Sequence, residues 1–386
     1  MNTPFPSPST SLTRRRFLYR ASLGTAALAG APYILRAQGG AQPRKLGVAL
    51  VGLGNYSKGQ LGPALKVTEH CRLAGVVTGS PEKGAQWAKD YGFSEKAVYG
   101  YDTMVQMAHN KDIDIVYVVT PNGLHMRDVI AAAKAGKHVI CEKPLGNTVA
   151  ECDAMLAACK AAKVKFSVGY RLHFDPYHRE LMRRAKDPAF GPFMQMTGDR
   201  GFSLRAGAWR ADKALAGGGP MMDLGVYLIQ GACMAYGGTT LGGGALDAAP
   251  SFVTGKERPK TKPQQFADGV EETIEWTMEF KNGAKADFVT SYVGGKDTFR
   301  VEGPKSWWEF KQKAFTYRGT IVETNAGPVS YEPFVNQQAL QMDDFAQCVR
   351  EGRESRVPGE MGRRDNVIIA AIFEAAKTGK KVAVKV

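Results

Sequence analysis

From Lys45 onwards, short solid apolar runs take turns with longer amphipathic stretches. The run 46–51 has the length and composition of a buried strand. Similar runs recur at 72–78, 114–119, 138–141 and 165–169, and helical spacing fills the intervals up to 67 and at 81–91, 124–135 and 149–162. Strands alternating with helices predict a parallel, doubly wound sheet over residues 44–170.

The period then changes. Asn282-Gly283 joins two runs of strict alternation. Ile274, Trp276, Met278 and Phe280 share one face of the first, and Ala284, Ala286, Phe288, Thr290 and Tyr292 one face of the second. That is a hairpin signature. Strand-like runs follow at 298–301 and 307–310, helical ones at 336–349 and 361–378, and 238–268 reads as loop-rich. The expected fold class is therefore α/β, a Rossmann domain, plus an α+β domain over 171–386. The second domain carries a large, mostly antiparallel open sheet, and its last helices return to the first domain.

Residues 1–38 belong to neither. Arg14-Arg15-Arg16-Phe17-Leu18 precedes a mild Ala/Gly/Leu stretch at 21–35 that contains Pro32. The stretch is too short and weakly apolar to span a bilayer and reads as the core of a signal peptide. Paired arginines followed by Phe-Leu resemble a twin-arginine signal, which carries folded proteins. The expectation is a periplasmic protein with no membrane contact in its mature form. Removing the five arginines of this segment lowers the formal charge from +14 to +9. No basic run interleaved with aromatics follows residue 45, so the charge suits anionic phosphates better than nucleic acid. Six cysteines without a C-x-x-C pair, mostly in apolar runs, read as buried thiols, not as a metal site or disulfide framework.

The first strand runs into Gly52-Leu53-Gly54-Asn55-Tyr56-Ser57-Lys58-Gly59. Gly52 permits a tight turn, Gly54 lets backbone approach a pyrophosphate, and the helix N-terminus faces that anion. The third glycine comes late for the strict G-x-G-x-x-G spacing. At the tip of the second strand stands Thr78-Gly79-Ser80-Pro81-Glu82-Lys83, with no acid to take a ribose 2′-hydroxyl. Thr78, Ser80 and Lys83 suit a 2′-phosphate, so NADP is favoured over NAD; capping by Ser80 is the plainer account of that residue. Lys143, before Pro144, lies at the C-terminal edge of a sheet strand, where open α/β sheets bind ligands. After Gly217-Gly218-Gly219, Asp223 and Tyr227 are four apart on one expected helix. A hydride leaving an alcohol carbon requires a base for the hydroxyl proton. Tyr227 can serve if a cation such as Lys143 lowers its pKa; by spacing alone, an ordinary capping Asp and amphipathic Tyr is the stronger account.

Gly52-Leu53-Gly54, Pro121-Asn122-Gly123-Leu124-His125, the run from Gly136 to Pro144 and the Asp223…Tyr227 pair together resemble the Gfo/Idh/MocA oxidoreductase family. Gly169-Tyr170-Arg171-Leu172-His173-Phe174-Asp175-Pro176, Trp209-Arg210, Leu215-Ala216-Gly217-Gly218-Gly219 and Tyr227 itself are similar to its glucose–fructose oxidoreductase group. The resemblance implies Lys143 and Tyr227 as the catalytic pair, with Asp223 assisting. It implies a cofactor site of Gly52, Gly54, Asn55, Tyr56, Thr78, Lys83, Thr120, Pro121, Asn122, His125, Glu142, Lys143 and Arg171, with Trp209 and Arg210 near the nicotinamide and no metal. It also implies a sugar substrate and a homodimer or homotetramer built on the free sheet face. The glucose–fructose group has a longer arm after its signal that helps hold NADP; here only residues 38–44 precede the first strand. Three functions stay open: sugar oxidoreduction with NADP, glycoside cleavage assisted by transient NAD-dependent oxidation, and non-catalytic sensing of sugar or dinucleotide.

Overall fold

The solid apolar runs become strands of a first sheet, β1 (Leu46–Val51), β2 (Cys71–Val77), β4 (Ile115–Val118), β5 (His138–Cys141) and β6 (Phe166–Val168), joined by a short β3 (Val98–Tyr99). The computed structural model describes residues 44–237, 248–266, 269–331 and 334–386. The strands are parallel in the order β3-β2-β1-β4-β5-β6. Chain direction across the sheet therefore reverses between β1 and β4, and a crevice opens at their C-terminal ends. Every residue of β1 is buried, as a strand covered on both faces requires. The flanking helices start where the caps stand. Ser80 accepts the Lys83 N–H to open Pro81–Tyr91, and Thr148 accepts the Glu151 N–H to open Val149–Ala161. Two-residue β3 has no sequence signal of its own and is defined by pairing with β2.

The second sheet holds, among the described residues, nine strands: β7 (Gln195–Gly201), β8 (Phe252–Glu257), β9 (Thr273–Glu279), β10 (Lys285–Ser291), β11 (Asp297–Glu302), β12 (Trp307–Gln312), β13 (Ile321–Thr324), β14 (Gly327–Val329) and β15 (Val382–Ala383). The hairpin expected around Asn282-Gly283 is β9–β10, paired with Trp276 opposite Phe288. Its alternating apolar positions, Ile274 to Tyr292, are all buried. Gly283 takes φ +87°, which the turn needs. The sheet is antiparallel except where β10 runs parallel to β7.

Two strands had no signal in the pattern. The loop-rich stretch 238–268 contains β8, which pairs with β9 and with β15 near the C-terminus. Its Phe252-Val253-Thr254-Gly255-Lys256-Glu257 has one buried apolar residue, so alternation did not mark it. Strand β7 was also not foreseen. Gln195-Met196-Thr197-Gly198-Asp199-Arg200-Gly201 is polar, yet it sits mid-sheet between β11 and β10. The helix Val226–Tyr236 lies over it so closely that a Cβ on Gly198 would meet Leu228 Cδ2 at 2.4 Å. Helices Gln337–Glu351 and Gly359–Thr378 do return to the first sheet's layer. The Asp343 carboxylate accepts the N–H groups of Glu69 and His70 at 2.8 and 2.7 Å. Asp365 accepts the Tyr170 hydroxyl. All six cysteines are buried and free, and burial pushes the thiols of Cys152, Cys159 and Cys233 up to about 12. Residues 1–38, expected to be a twin-arginine signal, lie outside the described residues.

Candidate active site

A cavity of about 870 Å³ opens at the C-terminal edge of the first sheet, beside the β1/β4 crevice. Gly52 and Gly54 form one wall. Gly52 takes φ +94°, and its N–H donates to Val77 O at 3.0 Å, which folds the turn back against β2. A Cβ on Gly54 would meet nothing within 4 Å, so the space in front of it is open to a ligand. Asn55 and Tyr56 follow on the same wall. The chain then enters a helical segment, 57–65, whose first turn is wide, with π-type spacing over Ser57–Leu61. That wide turn absorbs the late third glycine.

Thr78, Lys83 and Tyr101 line the end of the cavity beyond β2. Ser80 is held in its capping role. Thr120, Pro121, Asn122 and His125 line the wall beyond β4, and three of them have their polar groups engaged. Thr120 Oγ1 donates to Asp128 at 2.8 Å, and Asn122 Nδ2 donates to Ala216 O at 2.9 Å. His125 is fully buried, its Nδ1 and Nε2 facing Pro144 O at 3.1 Å and Thr120 O at 2.9 Å. It braces two loops and offers the cavity little polar surface.

Glu142 and Lys143 leave β5 into the centre of the cavity. The Tyr117 hydroxyl donates to Glu142 Oε1 at 2.8 Å; burial nonetheless raises the Glu142 carboxyl above its ordinary value. Lys143 Nζ donates to Asp223 O at 2.8 Å and Oδ1 at 3.2 Å. It also stands 4.6 Å from the centre of the Tyr227 ring. Across the carboxylate, Asp223 Oδ2 accepts from Arg210 Nε at 2.8 Å and from the Tyr292 hydroxyl at 3.3 Å. Burial alone would raise the Asp223 carboxyl; Lys143 and then Arg210 reverse this and hold it far below the carboxylate range. For Tyr227, burial again pushes up, but the charges of Lys143, Arg171 and Arg200 bring the phenol below its ordinary value. Asp223 is thus an ion-pair partner here and caps nothing.

The Asp223–Tyr227 segment is placed by contacts far apart in sequence. It begins as a π-turn, Met221–Gly225, and continues as Val226–Tyr236. The buried Glu271 carboxylate accepts the N–H groups of Gly219 and Met221 at 2.7 and 2.9 Å. The short helix Lys213–Ala216 is tied to the first sheet's loops through Asn122 and through Asn147 Nδ2, which donates to Ala214 O at 2.9 Å.

Trp209, Arg210, Asp223 and Tyr227 also line the cavity. Arg171 does not. It lies buried behind Tyr227 and Tyr317, its guanidinium carbon 5.5 and 4.4 Å from their ring centres, and donates to Thr316 O at 3.1 Å. Sequence reasoning missed Arg200, Phe202 and Tyr317 in the lining. Arg200 sits on a strand with no apolar alternation, and Tyr317 on a turn between β12 and β13 whose approach to Tyr56 only the fold creates. Among the described residues, no three His, Cys, Asp or Glu side chains gather as a metal site.

The residues present fit a dinucleotide: an open glycine cradle, a strand tip free of acids beside Lys83, and a cavity of matching size. Residues 46–170 match the Gfo/Idh/MocA oxidoreductase family with NAD-binding Rossmann fold, and residues 178–309 match the family's C-terminal domain. An NADP⁺-dependent D-xylose 1-dehydrogenase of Haloarcula marismortui is 27% identical over 359 residues, 86% of this chain and 92% of that protein. The crystal structure of aldose–aldose oxidoreductase from Caulobacter crescentus, complexed with glycerol, is 38% identical with a TM-score of 0.82, over 88% of this chain and all of that one. A 3-ketoreductase from Actinomadura kijaniata in complex with NADP, 19% identical over 86% of this chain and 98% of that one, shares the fold with a TM-score of 0.73. On this geometry and these matches, the chain belongs to the Gfo/Idh/MocA family of oxidoreductases.

Proposed function

We propose that the protein is an NADP-dependent sugar oxidoreductase of the sugar-to-sugar type, in the manner of the glucose–fructose group. The observation that carries the reading is the Lys143–Asp223 pair beside Tyr227, inside a cavity that a glycine cradle enters from the other side. NADP, when bound, accepts and returns the hydride. Gly52, Gly54 and the helical turn after them would hold its pyrophosphate, and Thr78 with Lys83 its 2′-phosphate. Tyr227 takes the proton of the sugar hydroxyl as the carbinol carbon is oxidised, and returns it to a carbonyl oxygen in the reverse direction. Lys143 stabilises the phenolate and the developing alkoxide. Asp223 keeps Lys143 and Arg210 in place.

Paired arginines at 14–15 support export in the folded state. An exported enzyme that keeps its cofactor must reoxidise it in place with a second sugar, which makes the cycle ping-pong. The free face of the second sheet is the surface on which we expect self-association. The test is an absorption spectrum of the purified mature protein at the reduced-nicotinamide band as candidate aldoses and ketoses are added. Reduction by one sugar and recovery by another, with the cofactor staying on the protein through gel filtration, is the expected result. Free release of NADPH overturns retention, and no reduction by any sugar overturns the substrate class.

A further inference from the structure

We propose that Arg200, on the central strand β7, is a positioning residue of the reaction: it clamps the Tyr227 phenol and sets a permanent positive charge against it. The proposal rests on the reading of Tyr227 as the acid/base group. The Arg200 guanidinium carbon lies 4.3 Å from the centre of the Tyr227 ring, nearer than Lys143 Nζ at 4.6 Å or the Arg171 carbon at 5.5 Å. It is anchored at both ends of its fork. One terminal nitrogen donates to Asp297 Oδ1 at 3.3 Å and the other to Phe315 O at 3.3 Å. The buried Nε has no acceptor. The Phe315 ring completes the stack, 5.9 Å from Tyr227 and 5.1 Å from the Arg200 carbon. With its side chain only 14% exposed, the charge is weakly screened.

The other charged or titratable neighbours of Tyr227 are Lys143 and Glu142 after β5, Arg171 before helix Pro176–Lys186, Arg210 on the Trp209–Ala211 turn, Tyr56 and Tyr317. Asp223 stands one turn earlier on its own helix. Two of these cations, Lys143 and Arg210, are engaged by Asp223, as Arg200 itself is by Asp297. Arg171, its carbon 5.5 Å from the ring centre, reaches the phenol by a side-chain hydrogen bond from behind the cavity wall and is tied as well to Thr316 O. Arg200 differs from Lys143 in one chemical respect. A guanidinium does not deprotonate in the working range, so its attraction for a phenolate is constant with pH.

The test uses the full chain loaded with NADP, with Arg200→Met and Arg200→Lys. Two readouts are taken: the pH profile of kcat for sugar oxidation, and the NMR titration, without substrate, of tyrosine labelled with ¹³C at Cζ. Tyr227→Phe assigns the resonance. Arg200→Met should move the Tyr227 titration and the kcat limb upward together by about 1–2 units and leave KM nearly unchanged. Arg200→Lys should restore at least half of the shift. The proposal is overturned if Arg200→Met leaves the titration where it was, whatever happens to turnover, or if Arg200→Lys shifts it as far as Arg200→Met does. Retained turnover in Tyr227→Phe would instead sink the reading of the site, and the NMR titration would still judge the Arg200 contact.

Discussion

Asp223 shows how one carboxylate organises a site. Each of its oxygens faces a different cation, Lys143 or Arg210, and the backbone carbonyl of the same residue takes a further bond from Lys143 Nζ. The lysine is therefore held where its charge falls on the Tyr227 ring, and the phenol lies below its ordinary pKa. Removing either member of an acid/base pair costs on the order of a hundredfold or more. Lys143→Ala and Tyr227→Phe are each expected to lower kcat by at least about a hundredfold while NADP binding, followed by fluorescence titration, stays near the parent value for Tyr227→Phe. Unchanged kcat in either variant would remove the assigned role. Oxidation needs the deprotonated phenol, so its rate should rise with pH and level off below the ordinary tyrosine value.

At the scale of elements, the decisive piece is the loop and π-turn that present Asp223 and Tyr227. Glu271 accepts two of the N–H groups that the start of a helix leaves unpaired, from a strand-edge position that is 1% exposed. Its neighbour across the contact is Gly219, where a Cβ would stand 2.0 Å from the Glu271 carbonyl oxygen. Gly219→Ala should therefore destabilise the fold by about 1–3 kcal/mol in urea titration and lower kcat as well, because the same loop carries the segment with Asp223 and Tyr227. A variant as stable and as active as the parent would show that the loop gives way freely.

Glu271 also makes stability depend on pH. Burial raises its carboxyl from 4.5 to about 7 in the folded protein. A raised acid contributes stability that is complete below the unfolded value and is lost as pH climbs through the folded one. The loss should fall between pH 4.5 and about 7 and reach roughly 3 kcal/mol. Glu271→Gln cannot ionise and escapes it. Its urea midpoint relative to the parent should rise across that window and stay level above it; a constant difference from acid to alkaline pH would contradict the burial argument.

The whole molecule is tied across its two sheets by a buried polar cluster. Arg364 and Asp365, on the helix Gly359–Thr378, are both fully buried, and Arg364 donates twice to Asp365 Oδ1. Asp365 Oδ2 accepts from Tyr170, just past β6, and from Gln230, on the helix that carries Tyr227. His173 Nε2 faces Gln230 Oε1 at 2.9 Å. One carboxylate thus joins the last helix, the first sheet and the helix of Tyr227. Breaking a buried pair from one side leaves a charge without compensation, so Asp365→Asn is expected to cost about 3–5 kcal/mol of stability by denaturant unfolding. Loss below about 1 kcal/mol would mean that the cluster relaxes or hydrates.

The sequence by itself determined the first sheet apart from β3, which pairing with β2 defines. Its strands are continuous apolar runs and its helices begin at Ser80 and Thr148, signals that act within a few residues and survive without tertiary help. The β9–β10 hairpin was legible for the same reason: a turn dipeptide and a period of two are local. So were the glycine cradle and the Lys143, Asp223 and Tyr227 residues as chemical types. Tertiary structure alone decided β7 and β8, whose few apolar residues make them strands only between neighbours that supply hydrogen bonds and cover. It also decided which side of the cavity wall Arg171 and Arg200 occupy, and what Glu271 holds. Arg200 and Tyr227 are brought together by strand order, and strand order is set by long-range packing, to which a pattern along the chain is blind.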